Sequence, residues 1–271
     1  MNDLEHIAYR GYLRSCNYHC AYCPFSKQQS SAGELAKDQA ALYRFVDKVR
    51  HLQGSLTIQL LPYGEALIHD YYWQALAELS QLRQVRAVGC QTNLSFDVDT
   101  ALALFAQAGG AVRKLRLWCT FHPTMTTVQD FAAQCAALRQ KGVRFSAGVV
   151  GDPAQLAEIT ALRQALPADV YLWINRLDGL KRPYTAAERA AFTAIDPYFP
   201  LELAEPAADA AKCSGGPRSL SEETARASAA IWLIDHWAIF TKRSGWRRLC
   251  TVRPGAAPAI WPMPCVRIES S

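Results

Sequence analysis

The stretch "HIAYRGYLRSCNYHCAYCPFSK", residues 6–27, begins as an apolar, strand-like segment and continues into a loop that carries three cysteines. Cys16, Cys20 and Cys23 have the spacing C-x3-C-x2-C. Three thiols this close together on one loop favour a shared metal centre over chance burial. The pattern on either side of this loop predicts the fold.

Strand-like apolar runs alternate with amphipathic helical patterns from this loop to about residue 184. Strands are predicted at 6–13, 55–64, 85–93, 114–123, 143–153 and 169–177, and helices at 39–52, 71–82, 98–109, 127–142 and 154–166. This alternation predicts a parallel sheet with crossover helices. Six strands are fewer than the eight of a closed barrel, so a partial barrel and a doubly wound sheet both fit. In either fold the loops that follow the strands form the ligand-binding face.

The composition limits the kind of protein. The length of 271 residues suits one large domain or one domain plus a small appendage, and a hydrophobic fraction of 50% is enough to bury a sizeable core. The net charge of +5 is spread along the chain and is too weak to predict nucleic-acid binding. No apolar run reaches the roughly 18 residues of a membrane span, and residues 1–11 show no signal-peptide pattern. We therefore expect a cytoplasmic protein without membrane or nucleic-acid partners.

The nine cysteines favour reduced thiols and metal ligands over a disulfide framework. Cys90, Cys119 and Cys135 fall inside strand or helix patterns, and we expect them in the core. For the loop cysteines three sites are open. Zinc needs four ligands, so a zinc-binding module would add His19 or a distant residue. A thioredoxin-like pair would leave Cys16 without a role, and three thiolates on a four-iron cluster would leave one iron open.

The cysteine motif follows a strand and has an aromatic residue, Tyr22, just before its last cysteine, and it resembles the signature of the radical S-adenosylmethionine (radical SAM) superfamily. The resemblance implies a partial (β/α)6 TIM barrel in which Cys16, Cys20 and Cys23 hold a [4Fe-4S] cluster and SAM chelates the open iron. It implies reductive cleavage of SAM to a 5′-deoxyadenosyl radical that abstracts hydrogen from a substrate. It also implies an electron donor such as flavodoxin or ferredoxin, and a small-molecule or peptide substrate.

The ends of the second and third strands resemble further motifs of this superfamily. Gly64-Glu65 resembles its Gly-Gly-Glu segment, with Tyr63 in place of the first glycine, and Thr92-Asn93 resembles its Thr-Asn-Gly. The resemblance implies that these residues surround SAM, with the carboxylate of Glu65 facing the SAM ammonium group. The alternative for Glu65 is a surface charge at a helix N-terminus.

The last three strands supply the remaining positions of the resemblance. His122 follows the fourth strand and is expected to face the site, although a single loop histidine is more often structural. Ser146 and Val149 on the fifth strand are expected at the ribose and adenine of SAM, and Asn175 at the end of the sixth strand is a further expected SAM contact.

The chain is expected to divide into a radical SAM core at 1–184, a connecting helix and the beginning of an auxiliary-cluster-like region at 185–221, and a degraded tail at 222–271. The connecting region resembles the beginning of a SPASM or twitch extension, with Cys213 as its first ligand. More narrowly, the chain is similar to a small group of short bacterial radical SAM proteins of unassigned chemistry.

The tail departs from that extension. Residues 230–241, translated one nucleotide earlier, permit the expected continuation, which favours a frameshift near Ser221 over a divergent tail. The expected function is that of a radical SAM enzyme. Its alternatives are a zinc-binding module and an inactive remnant that binds a cluster without turnover.

Overall fold

The computed structural model of the protein describes residues 4–23, 25 and 28–203, and the backbone of four short strands between residues 227 and 249. Cys213 and most of the predicted tail lie outside the described residues. None of the helices in the described part is both long and apolar enough to cross a membrane.

The first part of the chain forms alternating strands and helices. The strands are β1 (Leu4–Tyr9), β2 (Ser55–Leu60), β3 (Val85–Thr92), β4 (Leu115–Phe121), β5 (Arg144–Gly151) and β6 (Leu172–Arg176). The helices are α1 (Ala32–Arg50), α2 (Asp70–Gln81), α3 (Val98–Gln107), α4 (Val128–Gln140), α5 (Leu156–Ala165), α6 (Ala186–Ile195) and α7 (Phe199–Glu202). The backbone-only strands are β7 (Ala227–Ser228), β8 (Ala230–Trp232), β9 (Ile239–Arg243) and β10 (Trp246–Leu249).

The sheet runs in chain order. Strands β1 to β6 are all parallel to their neighbours, and β7 adds an antiparallel pair at the β1 edge. Strands β8, β9 and β10 form a separate antiparallel sheet. A doubly wound sheet would reverse its strand order at a switch point, and this sheet does not. The predicted partial (β/α)6 TIM barrel is confirmed.

Helix α1 begins seven residues before its predicted start at residue 39. Ser31 and Glu34 form a capping box, in which the backbone N–H of Ser31 donates to the Glu34 carboxylate at 2.7 Å and the N–H of Glu34 donates to the Ser31 hydroxyl at 3.3 Å. These bonds satisfy donors that a helix start leaves open. Because the first turns of the helix are polar, the spacing of apolar residues did not indicate this start.

The two faces of the sheet have different environments, because side chains alternate along a strand. Phe121 of β4 packs on Phe131 of α4, with ring centroids 5.3 Å apart, so its face of the sheet is covered by the helices. On the opposite, concave face, Trp118 and Trp173 stack with centroids 4.7 Å apart. The helix-covered face holds the main core, to which the buried Cys90, Cys119 and Cys135 belong, as predicted.

Candidate functional site

The loop that carries the cysteines is held against the segment that follows β2. Three backbone hydrogen bonds continue the parallel pairing of β1 and β2 beyond the strands, and we call them the loop ladder. The bonds run from Leu61 N to Tyr9 O (2.9 Å), from Tyr63 N to Leu13 O (3.3 Å) and from Glu65 N to Ser15 O (3.0 Å). The ladder fixes the chain immediately before Cys16.

Gly64 lies where the two segments come closest. A Cβ atom at this position would collide with the backbone carbonyl of Ser15. Only glycine allows this approach, because backbone atoms cannot yield as a flexible side chain can. Gly64 is therefore required by the position of the cysteine loop.

A second support for the loop comes from helix α1. Asp38 is fully buried, and its Oδ1 atom accepts the backbone N–H groups of Tyr12 at 2.6 Å and Leu13 at 2.9 Å. Its Oδ2 atom accepts the hydroxyls of Tyr71 and Tyr72 at 3.0 and 2.9 Å. A buried carboxylate needs such donors, and these four join the loop, α1 and α2.

Glu65 is buried, with 3% of its surface exposed, so the alternative of a surface charge is wrong. Its Oε1 accepts the Leu67 backbone N–H at 3.0 Å and the Thr92 hydroxyl at 2.8 Å, and its Oε2 accepts the Asn93 backbone N–H at 2.5 Å. Burial raises the pKa of Glu65 to about 7, although the three donors oppose the shift. A carboxylate has about four acceptor sites, so one remains for another donor.

Asn93 connects this carboxylate to the first cysteine. Its side-chain Nδ2 lies 3.8 Å from the Cys16 sulfur and 2.9 Å from the side-chain oxygen of Asn17. The Asn17 amide in turn donates to the Ser95 hydroxyl at 2.8 Å. Burial raises the pKa of the Cys16 thiol. Gly64, Glu65, Thr92 and Asn93, which were predicted separately, thus lie in one connected group with Cys16.

The second cysteine meets a side chain from the end of β4. The Sγ atom of Cys20 lies 3.4 Å from Nδ1 of His122, and the Tyr22 hydroxyl lies 2.6 Å from the same nitrogen. Burial lowers the pKa of His122 to about 4, so the imidazole is neutral at pH 7. His122 therefore lies at the predicted site, in direct contact with two of its residues.

The loop cysteines offer thiolate donors. None of the three is in a disulfide, and the charges of Cys20 and Cys23 both raise the pKa of Cys16, which shows that they are electrostatic neighbours. Within the described ranges, no three His, Cys, Asp or Glu side chains are grouped closely enough to hold one metal ion. Thiolates bind both iron–sulfur clusters and zinc, and the three cysteines match the donor type of either site.

The predicted SAM contacts on the last two strands are only partly brought to the concave face. Ser146 is in register with Trp118 and lies on that face. Asn175, near the end of β6, is two residues after Trp173, so its side chain points to the same concave face, where it is half-buried. Val149 is in register with Phe121 and is fully buried in the helix-covered core. The Val149 side chain therefore points away from the concave face, because residues three apart on a strand point to opposite faces. The expected contact of Val149 with adenine stays a prediction.

Polar side chains also line the concave face. The side-chain oxygens of Thr57, Gln59 and Thr120 are buried and have no hydrogen-bond partner among the residues that the structure describes. Buried polar atoms normally have partners. A polar ligand on this face would supply them.

Sequence reasoning missed Asp38, Asn17 and these concave-face residues. The signal for Asp38 was present: the buried positions of α1 recur at helical spacing from Ala41 to Val49, and that spacing continues back to Asp38. A carboxylate on an apolar stripe indicates a buried hydrogen-bond hub. No comparable signal marks Asn17, whose role depends on the fold of the loop.

Neither protein-family models nor curated proteins match the chain. Among solved structures it is similar to anSMEcpe with bound AdoMet. One such structure has 13% sequence identity and a TM-score of 0.50, and the match covers 73% of this chain and 58% of that chain. Another has 14% identity and a TM-score of 0.50, and the match covers 74% of this chain and 62% of that chain. A third, anSMEcpe with bound AdoMet and Kp18Cys peptide, has 12% identity and a TM-score of 0.50 over 70% and 58%. This chain thus spans less than two thirds of the length of anSMEcpe, and at this identity the likeness shows a shared fold.

Proposed function

We propose that the protein is a radical SAM enzyme. The observation that carries the proposal is the convergence on one loop: three cysteines that form no disulfide follow β1, and Asn93 from β3 and His122 from β4 approach Cys16 and Cys20. Parallel α/β folds place ligands at this end of their strands. The fold shared with a protein solved with bound AdoMet adds to this.

In this proposal Cys16, Cys20 and Cys23 hold a [4Fe-4S] cluster. When bound, the cluster would supply the electron that cleaves SAM, with a flavodoxin or ferredoxin as the electron donor. The protein's own part is to hold the thiols in place through the loop ladder, Gly64 and Asp38.

The free acceptor site on the Glu65 carboxylate would receive the SAM ammonium group. A charge-assisted hydrogen bond between an ammonium group and a carboxylate is about twice as strong as a neutral one. Thr92 and Asn93 hold this carboxylate in place, and they would therefore act on SAM through Glu65.

The substrate would bind over the concave face. Thr57, Gln59 and Thr120 offer oxygens there that have no partner among the described residues, and Trp118 and Trp173 stack on the same face. This mixture suits a ligand with both polar and flat apolar parts. A peptide is one such substrate, and a polar small molecule is another. We further propose that the protein acts in the cytoplasm.

The test is an absorption and EPR spectrum of anaerobically reconstituted protein, recorded with and without SAM, followed by an assay for 5′-deoxyadenosine. A radical SAM enzyme gives a four-iron spectrum that SAM perturbs, and it releases 5′-deoxyadenosine. Stoichiometric zinc without an iron spectrum would identify a zinc-binding module. A SAM-perturbed cluster without 5′-deoxyadenosine would identify an inactive remnant.

A further inference from the structure

The ring of His122 is fixed beside the second cysteine. Tyr22 packs against it at an interplanar angle of 17°, with centroids 6.1 Å apart, and Tyr18 meets it edge-on at 5.8 Å. The atom presented to the loop is Nδ1, which lies 3.4 Å from the Cys20 sulfur and 2.6 Å from the Tyr22 hydroxyl. One ring nitrogen thus faces the sulfur of an expected cluster ligand.

The chemistry of Cys20 selects the tautomer of this histidine. A cysteine that binds iron is a thiolate, which only accepts hydrogen bonds. An unprotonated Nδ1 would direct its lone pair at that negative charge, whereas a protonated Nδ1 would donate a charge-assisted hydrogen bond to it. With Cys20 as a thiolate, the ring would therefore carry a proton on Nδ1, and the Tyr22 hydroxyl, which also hydrogen-bonds Cys20, could accept from the same N–H.

We propose that His122 donates a hydrogen bond from Nδ1 to the Cys20 sulfur and thereby makes the cluster easier to reduce. This inference rests on the proposed function and assigns a residue that acts on the cluster through its ligand. Hydrogen bonds to the sulfurs are among the features that set iron–sulfur reduction potentials. The reduced cluster carries one more negative charge, which the N–H dipole stabilises, so losing the donor lowers the potential.

The experiment is an EPR-monitored redox titration of the reconstituted full-length protein without SAM. Two polar variants separate the hydrogen bond from packing. In His122→Asn the side-chain amide reaches the position of Nδ1, and in His122→Gln it reaches that of Nε2, farther from the sulfur. His122→Leu removes every donor, and His51→Leu at the exposed end of α1 is the matched control.

We expect His122→Leu and His122→Gln to make reduction about tenfold less favourable, which for one electron is a fall of about 59 mV in midpoint potential. His122→Asn should retain most of the wild-type potential, and His51→Leu all of it. If His122→Leu loads no iron, the difference in midpoint potential between His122→Asn and His122→Gln tests the hydrogen bond instead.

Two results would overturn the inference and leave the proposed function standing. One is a wild-type potential in the Leu or Gln variant at full iron content. The other is an equal fall in the Asn and Gln variants, which would assign the effect to packing. Wild-type protein that binds no cluster would overturn both the inference and the proposed function.

Discussion

The backbone N–H of Asn93 donates to the carboxylate of Glu65 at 2.5 Å, and this bond joins the end of β3 to the segment that follows β2. Asn93 reaches Cys16 with its side chain, while Glu65 reaches Ser15 with its own N–H. The first cysteine is therefore held from two strands at once.

Gly64→Ala should displace the cysteine loop, because the added methyl group collides with the Ser15 carbonyl. We expect a loss of about 1–3 kcal/mol in the free energy of unfolding, together with a reduced iron content after reconstitution. The control is Gly33→Ala in the first turn of α1, where a Cβ meets nothing within 4 Å. It should be neutral or slightly stabilising. Normal iron loading in Gly64→Ala would show that the loop tolerates the shift.

Asp38→Asn should destabilise the protein by about 3 kcal/mol, measured by denaturant unfolding. The amide has one acceptor atom where the carboxylate has two, so buried N–H and hydroxyl donors lose their partner. Asp47→Asn, an exposed change on the same helix, should stay within about 0.5 kcal/mol of wild type. Equal stability of the two variants would contradict the role given to Asp38.

Glu65 should make the stability of the cofactor-free protein depend on pH. Its pKa of about 7 in the folded protein exceeds the ordinary value of 4.5, so the folded state holds a proton that the unfolded state has lost between these values. The contribution of Glu65 to the free energy of unfolding therefore falls as the pH rises from 4.5 to 7, by roughly 3 kcal/mol at most. His6 and His122, whose pKa values burial lowers to about 4, contribute with the opposite sign in this range, so the contribution of Glu65 is measured as the difference between the wild-type protein and Glu65→Gln. Unfolding curves of both proteins at pH 5, 6 and 7 measure this difference. An equal pH dependence of the wild-type protein and of Glu65→Gln would refute the raised pKa of Glu65.

Cys20→Ala should abolish cluster binding, since two thiolates do not retain four irons. Iron analysis and EPR after anaerobic reconstitution measure the loss. The matched control is Cys90→Ala, which removes a buried core thiol and should lower stability while leaving the iron content unchanged. A Cys20→Ala protein with full iron content and an EPR signal that SAM perturbs would show that the loop cysteines do not hold the cluster.

The predicted frameshift near Ser221 has its own test. Protein cut after Ser221 should cleave SAM at the wild-type rate, because every expected SAM contact precedes residue 180. Reconstituted full-length protein should hold about four irons, since the three loop thiolates support one cluster. A confirmed reading frame, eight irons and a melting temperature several degrees lower on truncation would together refute the frameshift.

The alternation of apolar runs was sufficient to predict the partial barrel. Strands such as β2 and β4 are buried on both faces and read as short apolar runs, whereas the helices bury one face and show the helical period. Boundaries were less predictable. Strand β1 ends at Tyr9 rather than at residue 13, since the loop ladder continues the pairing without regular strand geometry. Helix α1 begins at its capping box, which polar residues form.

The sequence motifs predicted that the cysteine loop and Glu65 lie together after neighbouring strands, and the structure places them so. Their roles at a cluster and at SAM stay predictions. The site was not predictable where a role depends on side-chain direction. Val149 was assigned by its position in a motif. It lies two residues after the core residue Ala147 on the same strand, so its side chain points to the helix-covered face. The contact of His122 with Cys20 joins residues 102 apart in the chain, and only the fold of the partial barrel brings them together.

The loop ladder has a consequence for the entropy of cofactor binding. Fixing the backbone of one residue costs about 1–2 kcal/mol. The ladder and Asp38 fix the chain from Tyr9 to Ser15 through contacts within the protein alone, so folding bears the cost of ordering that segment. Assembly of the proposed cluster would then have to order only the residues from Cys16 onward. Its affinity would be reduced by the ordering of that turn, and not by that of the whole loop.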